Sequence, residues 1–95
     1  MYARISRAKY KPESKEAVKT MIAELKGRLN EAPGVQHWIS LLTSDGDLVV
    51  ASFFLDEQAL EDTAHINERR WENARHLLEA TPQVVQGEVL AFVSA

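Results

Sequence analysis

Residues 35–55 read VQHWISLLTSDGDLVVASFFL, and this stretch decides the fold. Two runs rich in β-branched and aromatic residues, 35–43 and 48–55, flank the pair Asp45-Gly46. An Asp-Gly pair between two such runs is a strong hairpin signal, because glycine adopts the left-handed conformation that the tight turn requires. The stretch therefore predicts two antiparallel strands.

The residues before the hairpin predict a strand followed by a helix. The strand covers residues 2–10 and ends at Lys11-Pro12, since proline has no backbone N–H to donate to a sheet. From Ser14, the expected N-cap, to about residue 32, apolar residues recur every three or four positions, as they do on one side of a helix.

The residues after the hairpin repeat this plan in the order helix, strand. Asp56 is expected to cap a second helix that runs to about residue 80, and residues 84–93 predict the last strand. The order β-α-β-β-α-β predicts an α+β, ferredoxin-like fold, in which a four-stranded antiparallel sheet carries both helices on one face.

Composition narrows the class of protein. The 95 residues fit a single domain spanning 1–95, and the net charge of −3 provides no positive surface for nucleic acid or anionic membranes. The absence of cysteine excludes disulfides and thiolate metal sites and fits a cytoplasmic protein. No run approaches the ~20 apolar residues that a membrane span needs.

Both faces of the predicted sheet carry apolar residues. In the second strand, one side presents Val35, His37, Ile39 and Leu41, and the other presents Gln36, Trp38, Ser40 and Leu42. Which side meets the helices stays open. A sheet that is apolar on both faces must be covered twice, which predicts a homodimer formed through the open sheet face.

The chain resembles the antibiotic biosynthesis monooxygenase-like family of the dimeric α+β barrel proteins. The resemblance is carried by Tyr10-Lys11-Pro12, by residues 32–35 (APGV), by the hairpin around Asp45-Gly46, by residues 53–60 (FFLDEQAL) and by the closing strand 89–93. It implies two subunits packed sheet to sheet, with a small cavity between sheet and helices in each. It also implies oxidation of aromatic substrates without metal, flavin or other cofactor, because the deprotonated substrate itself activates oxygen.

Members of this superfamily that degrade haem differ from this chain at three positions. Where they have Asn, Trp and His, this sequence has Ile5, Phe54 and Ala64. His65 follows one place later, and a shift of one residue on a helix rotates a side chain by about 100°. A haem-degrading enzyme therefore requires His65 or His76 to turn inward.

The second helix provides candidate site residues on its expected sheet-facing side. Asn67 on this side marks either a break between two helices or a contact with a ligand oxygen, and Trp71 is expected to fill space between helix and sheet. His65 and His76 fall on the opposite side and are expected at the surface, too far apart to share a metal ion. We expect no metal site.

A further set of residues lies on the more polar side of the strands: Arg4, Ser6, Trp38, Ser40, Gln86 and Glu88. These side chains either line a pocket or form a dimer interface in which Arg4 or Arg7 pairs with Glu88. Both interpretations remain open at this point.

Two functional hypotheses follow. The first is a cofactor-independent monooxygenase for a small, apolar phenol or quinol, in which Arg4 or Arg7 stabilises the substrate anion and Asn67 orients an oxygen. Trp38, Phe54 and Trp71 would stack on the ring, and Ser40 would line the same pocket. The second is a non-catalytic dimeric module that binds a small ligand or acts in a stress response.

Overall fold

A computed structural model describes residues 1–94, and its elements follow the predicted order. The strands are β1 (Tyr2–Lys9), β2 (Val35–Leu42), β3 (Asp47–Phe54) and β4 (Gln83–Glu88), and the helices are α1 (Lys15–Lys26), α2 (Glu57–Asp62) and α3 (Ala64–Ala74). The strands form one antiparallel sheet in the order β2-β3-β1-β4. The α+β, ferredoxin-like fold is confirmed.

The hairpin forms where the Asp-Gly pair predicts it. Gly46 has a φ of 93°, a conformation that favours glycine, and the flanking strands pair Trp38 with Ser52 and Leu42 with Leu48. Because side chains alternate between the two sides of a strand, this register decides which residues of β2 and β3 share a face.

The more polar side of the sheet faces the helices. On β1, Arg4 and Ser6 are only 5% and 1% exposed, whereas Ile5 between them is 40% exposed. The core on this side contains Ala8, Tyr10, Val18, Leu48, Leu77 and Leu78. Trp38 and Ser40 are on the same side of β2. Arg4 and Ser6 are therefore not available to a dimer interface, because they are buried beneath the helices, whereas Gln86 and Glu88 on the edge strand β4 are exposed.

The second helical region is broken at Thr63, whereas the sequence left open a break at Asn67. The Thr63 hydroxyl donates to the Ala59 and Leu60 carbonyl oxygens at 2.9 and 3.1 Å, and such bonds compete with helix geometry. Asn67 lies inside α3 and does not mark the break. A 3₁₀ turn, Arg75–Leu77, ends the region.

The two expected N-caps have different outcomes. The Asp56 carboxylate accepts a hydrogen bond from the Ala59 backbone N–H at 2.8 Å, which confirms it as the cap of α2. Ser14 occupies the N-cap position of α1, but its side chain makes no capping hydrogen bond. The first helix also ends at Lys26, earlier than predicted, and is followed by a 3₁₀ turn, Leu29–Glu31.

The last strand ends at Glu88, whereas the sequence predicts that it continues to Val93. In the segment 89–94 that follows, Phe92 lies against the sheet face opposite the helices, here called the open face. The Phe92 ring stacks on His37 with 4.4 Å between ring centroids and meets Phe53 edge to face at 5.4 Å. Ile39 and Val85, also on the open face, remain 51% and 67% exposed.

No helix within residues 1–94 has both the length and the apolar character required to cross a membrane.

Candidate functional site

A row of four side chains crosses the helix-facing side of the sheet, one from each strand. Trp38 of β2 pairs with Ser52 of β3, Ser52 pairs with Arg4 of β1, and Arg4 pairs with Gln86 of β4. We call Trp38, Ser52, Arg4 and Gln86 the polar row. Its members share a face because the antiparallel register places them directly opposite one another.

A small cavity, here called the inner cavity, lies between one end of the polar row and the helices. Its polar and aromatic wall is formed by Trp38, Ser52, Asn67, Arg70 and Trp71, and apolar side chains of α1, β3 and α3 complete it. Its volume is about 40 Å³. An apolar cavity of about 150 Å³ holds benzene, so an aromatic ring enters only if part of the wall moves.

Asn67 and Trp71 form the part of the inner cavity's wall that borders a second, larger space beside β4. They lie one helical turn apart on α3, and both also line a cleft of about 640 Å³ beside β4. Trp71 packs against the core, as the sequence predicts. These two side chains therefore separate the inner cavity from the cleft.

Arg4 is held tightly beside the break between α2 and α3. Its Nη2 donates to the Leu60 carbonyl oxygen at 2.6 Å, Nη1 to the Thr63 hydroxyl at 3.4 Å, and Nε to Gln86 Oε1 at 3.4 Å. Its guanidinium carbon lies 5.3 Å from the centre of the Phe54 ring. Burial lowers the pKa of Arg4, and within residues 1–94 it forms no salt bridge.

Two of the predicted site residues lie beside the inner cavity without lining it. Phe54 is fully buried beneath Arg4, at the end of β3. Ser40 lies next to the polar row on β2 but lines a separate depression beside α1. Of the six predicted residues, the structure brings Trp38, Asn67 and Trp71 together around one space.

Arg7 lies on the opposite side of the sheet and is held by an acidic partner. Its Nε donates to Asp47, and Lys9 Nζ lies 3.2 Å from the second oxygen of the same carboxylate. The hydrogen bond from Arg7, reinforced by Lys9, lowers the pKa of Asp47. Within residues 1–94 neither Arg4 nor Arg7 forms a salt bridge with Glu88, and Arg7 cannot act on a ligand across the sheet.

Sequence reasoning missed Ser52 and Arg70. The hairpin register contains the signal for Ser52, because a turn centred on Asp45-Gly46 places it opposite Trp38. Arg70 follows Asn67 by three residues on α3, a spacing that places side chains next to each other on a helix.

Comparison with solved structures shows what fold this geometry belongs to. A protein of unknown function from Nitrosomonas europaea is 26% identical with a TM-score of 0.81, and the match covers 99% of this chain and 93% of that one. An antibiotic biosynthesis monooxygenase is 19% identical with a TM-score of 0.77, covering 96% and 100% of the two chains. The chain has the antibiotic biosynthesis monooxygenase-like fold.

A Mycobacterium tuberculosis protein with 20% identity and a TM-score of 0.74 is similar over 98% of both chains. The sequence matches no protein-family model and no curated protein. Because the antibiotic biosynthesis monooxygenase-like fold is compatible with unlike chemistries, the function has to be argued from the site itself.

The three histidines of the chain lie away from the inner cavity. His65 and His76 are exposed on the outer side of α3 and the following turn, as predicted, and His37 lies on the open face under Phe92. The inward histidine that the haem hypothesis requires is therefore not provided by His65 or His76. Within residues 1–94, no three His, Asp or Glu side chains come close enough to hold a metal ion.

Proposed function

We propose that this protein is a cofactor-independent monooxygenase that oxidises a small phenol or quinol bound in the inner cavity. The observation that supports it is the convergence of Trp38, Trp71, Asn67 and Ser52 on one space between the sheet and the helices. Two aromatic side chains with two hydrogen-bonding groups suit a flat ring that carries an oxygen.

Each residue has a role that follows from its chemistry. Trp38 and Trp71 lie on either side of the bound ring, and the Asn67 amide donates a hydrogen bond to the phenolate oxygen. Arg4, behind Ser52 in the polar row, adds a fixed positive charge that favours the anion. Stabilising the phenolate is the catalytic task, because the anion reduces oxygen far more readily than the neutral phenol.

The reaction balances without an added reductant. A phenol and dioxygen give a quinone and water: one oxygen atom forms a bond to a ring carbon, and the O–O bond breaks. The second oxygen atom leaves as water with the hydrogen of that carbon and the hydroxyl proton. The substrate supplies all the electrons, so the chemistry requires binding, deprotonation and exclusion of water.

The ring requires more room than the inner cavity offers, and the wall of Asn67 and Trp71 provides it. When these side chains turn toward the cleft beside β4, the two spaces combine. Binding is therefore expected to move Trp71, one of the two tryptophans of the chain, both of which line the cavity.

The test is oxygen uptake with 1-naphthol in the presence of a metal chelator. We expect turnover by the wild type and a loss of about tenfold or more in kcat/KM for Asn67→Ala, the size expected when a group that stabilises a developing anion is removed. Asn73→Ala is the matched control, because Asn73 lies on the same helix but does not line the inner cavity. Absence of oxygen uptake with phenols and quinols alike would refute the proposal.

The small volume of the inner cavity favours a second candidate, a non-catalytic module that binds a small ligand. It predicts that 1-naphthol binds with a saturable heat signal in calorimetry while oxygen uptake stays at the rate of buffer alone. Saturable binding together with uptake would exclude it.

We also propose that a second copy of the chain covers the open face. Ile5, Ile39, Leu41 and Val85 leave apolar surface exposed there, and an apolar sheet face with polar edges is typical of a subunit contact. Ile39→Asp is expected to convert a dimer to a monomer in light scattering, whereas Leu55→Asp, exposed beyond the end of β3, leaves it unchanged. A monomeric wild type would contradict the proposal. A cytoplasmic location also stays a prediction.

A further inference from the structure

Arg70 occupies the wall between the inner cavity and the outer surface. It lines the inner cavity together with Trp38 and Trp71, and it also lines a groove of about 690 Å³ between α1 and α3. Met21 and Leu25 of α1 line both spaces as well. The guanidinium thus lies where a ring in the cavity would present a substituent toward the groove.

The hydrogen-bonding capacity of Arg70 is largely unused. Its Nη2 donates one long bond, of 3.4 Å, to the backbone oxygen of Arg28, and within residues 1–94 it forms no salt bridge. A guanidinium has five N–H donors arranged to match a carboxylate with two parallel bonds. The side chain is only partly exposed, and burial lowers its pKa because the charged form loses contact with water. An anionic partner would offset this loss of hydration.

The acidic groups of the groove do not fill this role. Glu31 acts on Arg70 through its charge, but its carboxylate is held by Arg28 at 3.0 to 3.2 Å. Glu24 also lines the groove without forming a salt bridge to Arg70. The positive charge at the wall of the cavity is therefore free to meet an anion from outside.

We propose that the site selects aromatic carboxylates: the ring lies between Trp38 and Trp71, and its carboxylate pairs with Arg70 at the groove side. This inference rests on the proposed function for the position of the ring, and it adds the substrate class. Arg70 replaces Arg4 as the group that contacts the ligand's permanent charge, because Arg4 does not line the inner cavity.

The test compares two probes that differ by one carboxylate, 1-hydroxy-2-naphthoate and 1-naphthol, by titration calorimetry at neutral pH. The wild type is expected to bind the carboxylate at least about tenfold more tightly, the ratio expected of one well-formed charged hydrogen-bonded pair. Arg70→Gln is expected to abolish this preference, so that the Kd values of the two probes lie within about twofold of each other. Arg70→Lys keeps the charge but not the two parallel donors, so it is expected to retain only part of the preference. This variant tests the inference if Arg70→Gln fails to fold.

Arg69→Gln is the matched control, because Arg69 lines the groove but not the inner cavity. The inference would be overturned if the wild type bound both probes equally well. It would also be overturned if Arg69→Gln and Arg70→Gln changed the preference for the carboxylate equally, or if Arg70→Gln weakened the binding of both probes by the same factor. Carboxylate-selective binding without oxygen uptake would refute the monooxygenase and leave this inference standing. Oxygen uptake from both probes that does not depend on Arg70 would support the monooxygenase and refute the selection of carboxylates.

Discussion

The Arg4 guanidinium donates a hydrogen bond of 2.6 Å to the carbonyl oxygen of Leu60, which joins a central strand of the sheet to the end of α2. This carbonyl lies at a helix terminus, where backbone oxygens lack the partners that the helix interior provides. A positive charge at that end is also favoured by the helix dipole. The contact thus compensates for placing an arginine under the helices.

Replacing Arg4 is therefore expected to destabilise the fold. Arg4→Ala removes the donor to Leu60 and leaves a buried polar neighbourhood incompletely satisfied, which costs about 1–3 kcal/mol in the free energy of unfolding. Arg4→Lys retains one donor and is expected to cost less. Urea unfolding at pH 7 measures both, and an Arg4→Ala protein as stable as the wild type would show that the contact contributes nothing.

Gly34 is expected to tolerate substitution worse than Gly46. Both have a positive φ, 84° and 93°, but only at Gly34 would an added Cβ lie 2.5 Å from the Cβ of Ala59. Gly34→Ala combines backbone strain with a collision between the loop before β2 and α2, and about 1–3 kcal/mol of strain is typical of such a position.

Gly46→Ala is the matched control for that substitution, because it shares the strain and its Cβ would meet only the end of the Lys9 side chain, at 3.7 Å. Thermal unfolding of the two variants separates the effects. Equal losses in Tm would mean that α2 shifts to make room for the new methyl group.

Asp47 is expected to make the fold sensitive to acid. Its pKa is lowered by the hydrogen bond from Arg7, aided by Lys9, so the folded state favours the ionised form more than the unfolded chain does. The stabilisation is complete above the unfolded pKa of about 4 and is lost as the pH falls through the lower folded value. Asp47→Asn should therefore be less stable than the wild type at pH 6, and the two should converge toward pH 2. A gap in stability that stays constant with pH would contradict this assignment.

Phe92 is expected to hold the segment 89–94 on the open face. Phe92→Ala removes the stack on His37 and the edge contact with Phe53, each typical of aromatic pairs worth about 0.5–1.5 kcal/mol beyond buried area. The variant should unfold at lower urea concentration and bind more of an apolar fluorescent dye. Val93→Ala, at a side chain that is 90% exposed, should behave as the wild type does.

Local signals were sufficient for most of the fold. Three features depend only on residues that are close in sequence and could therefore be predicted from it: the Asp45-Gly46 turn, the Asp56 cap and the apolar stripe through Val18. The break at Thr63 was missed because it depends on one hydroxyl that bonds to its own helix and also accepts a bond from Arg4, a contact made only after the sheet has formed.

The site was less predictable because, on β1, polar side chains face the helices and an apolar side chain faces outward, the opposite of the usual arrangement. Arg4 and Ser6 point under the helices while Ile5 points outward, so hydrophobicity alone does not decide which side is inside. Trp38, Asn67 and Trp71 were found by alternation and helical spacing. Arg70 was missed because a cavity wall shared by two elements has no signature in either element alone.

The polar row places its four members on four different strands, with no two adjacent in the sequence. Each position can therefore be changed without altering the local backbone of another, and the ladder of hydrogen bonds that sets the row does not involve the side chains. A combinatorial library restricted to Trp38, Ser52, Arg4 and Gln86 would vary two residues that line the inner cavity together with the two that follow them across the sheet. The four residues are distant in sequence but neighbours in space, so directed evolution of ligand preference can begin with these positions alone.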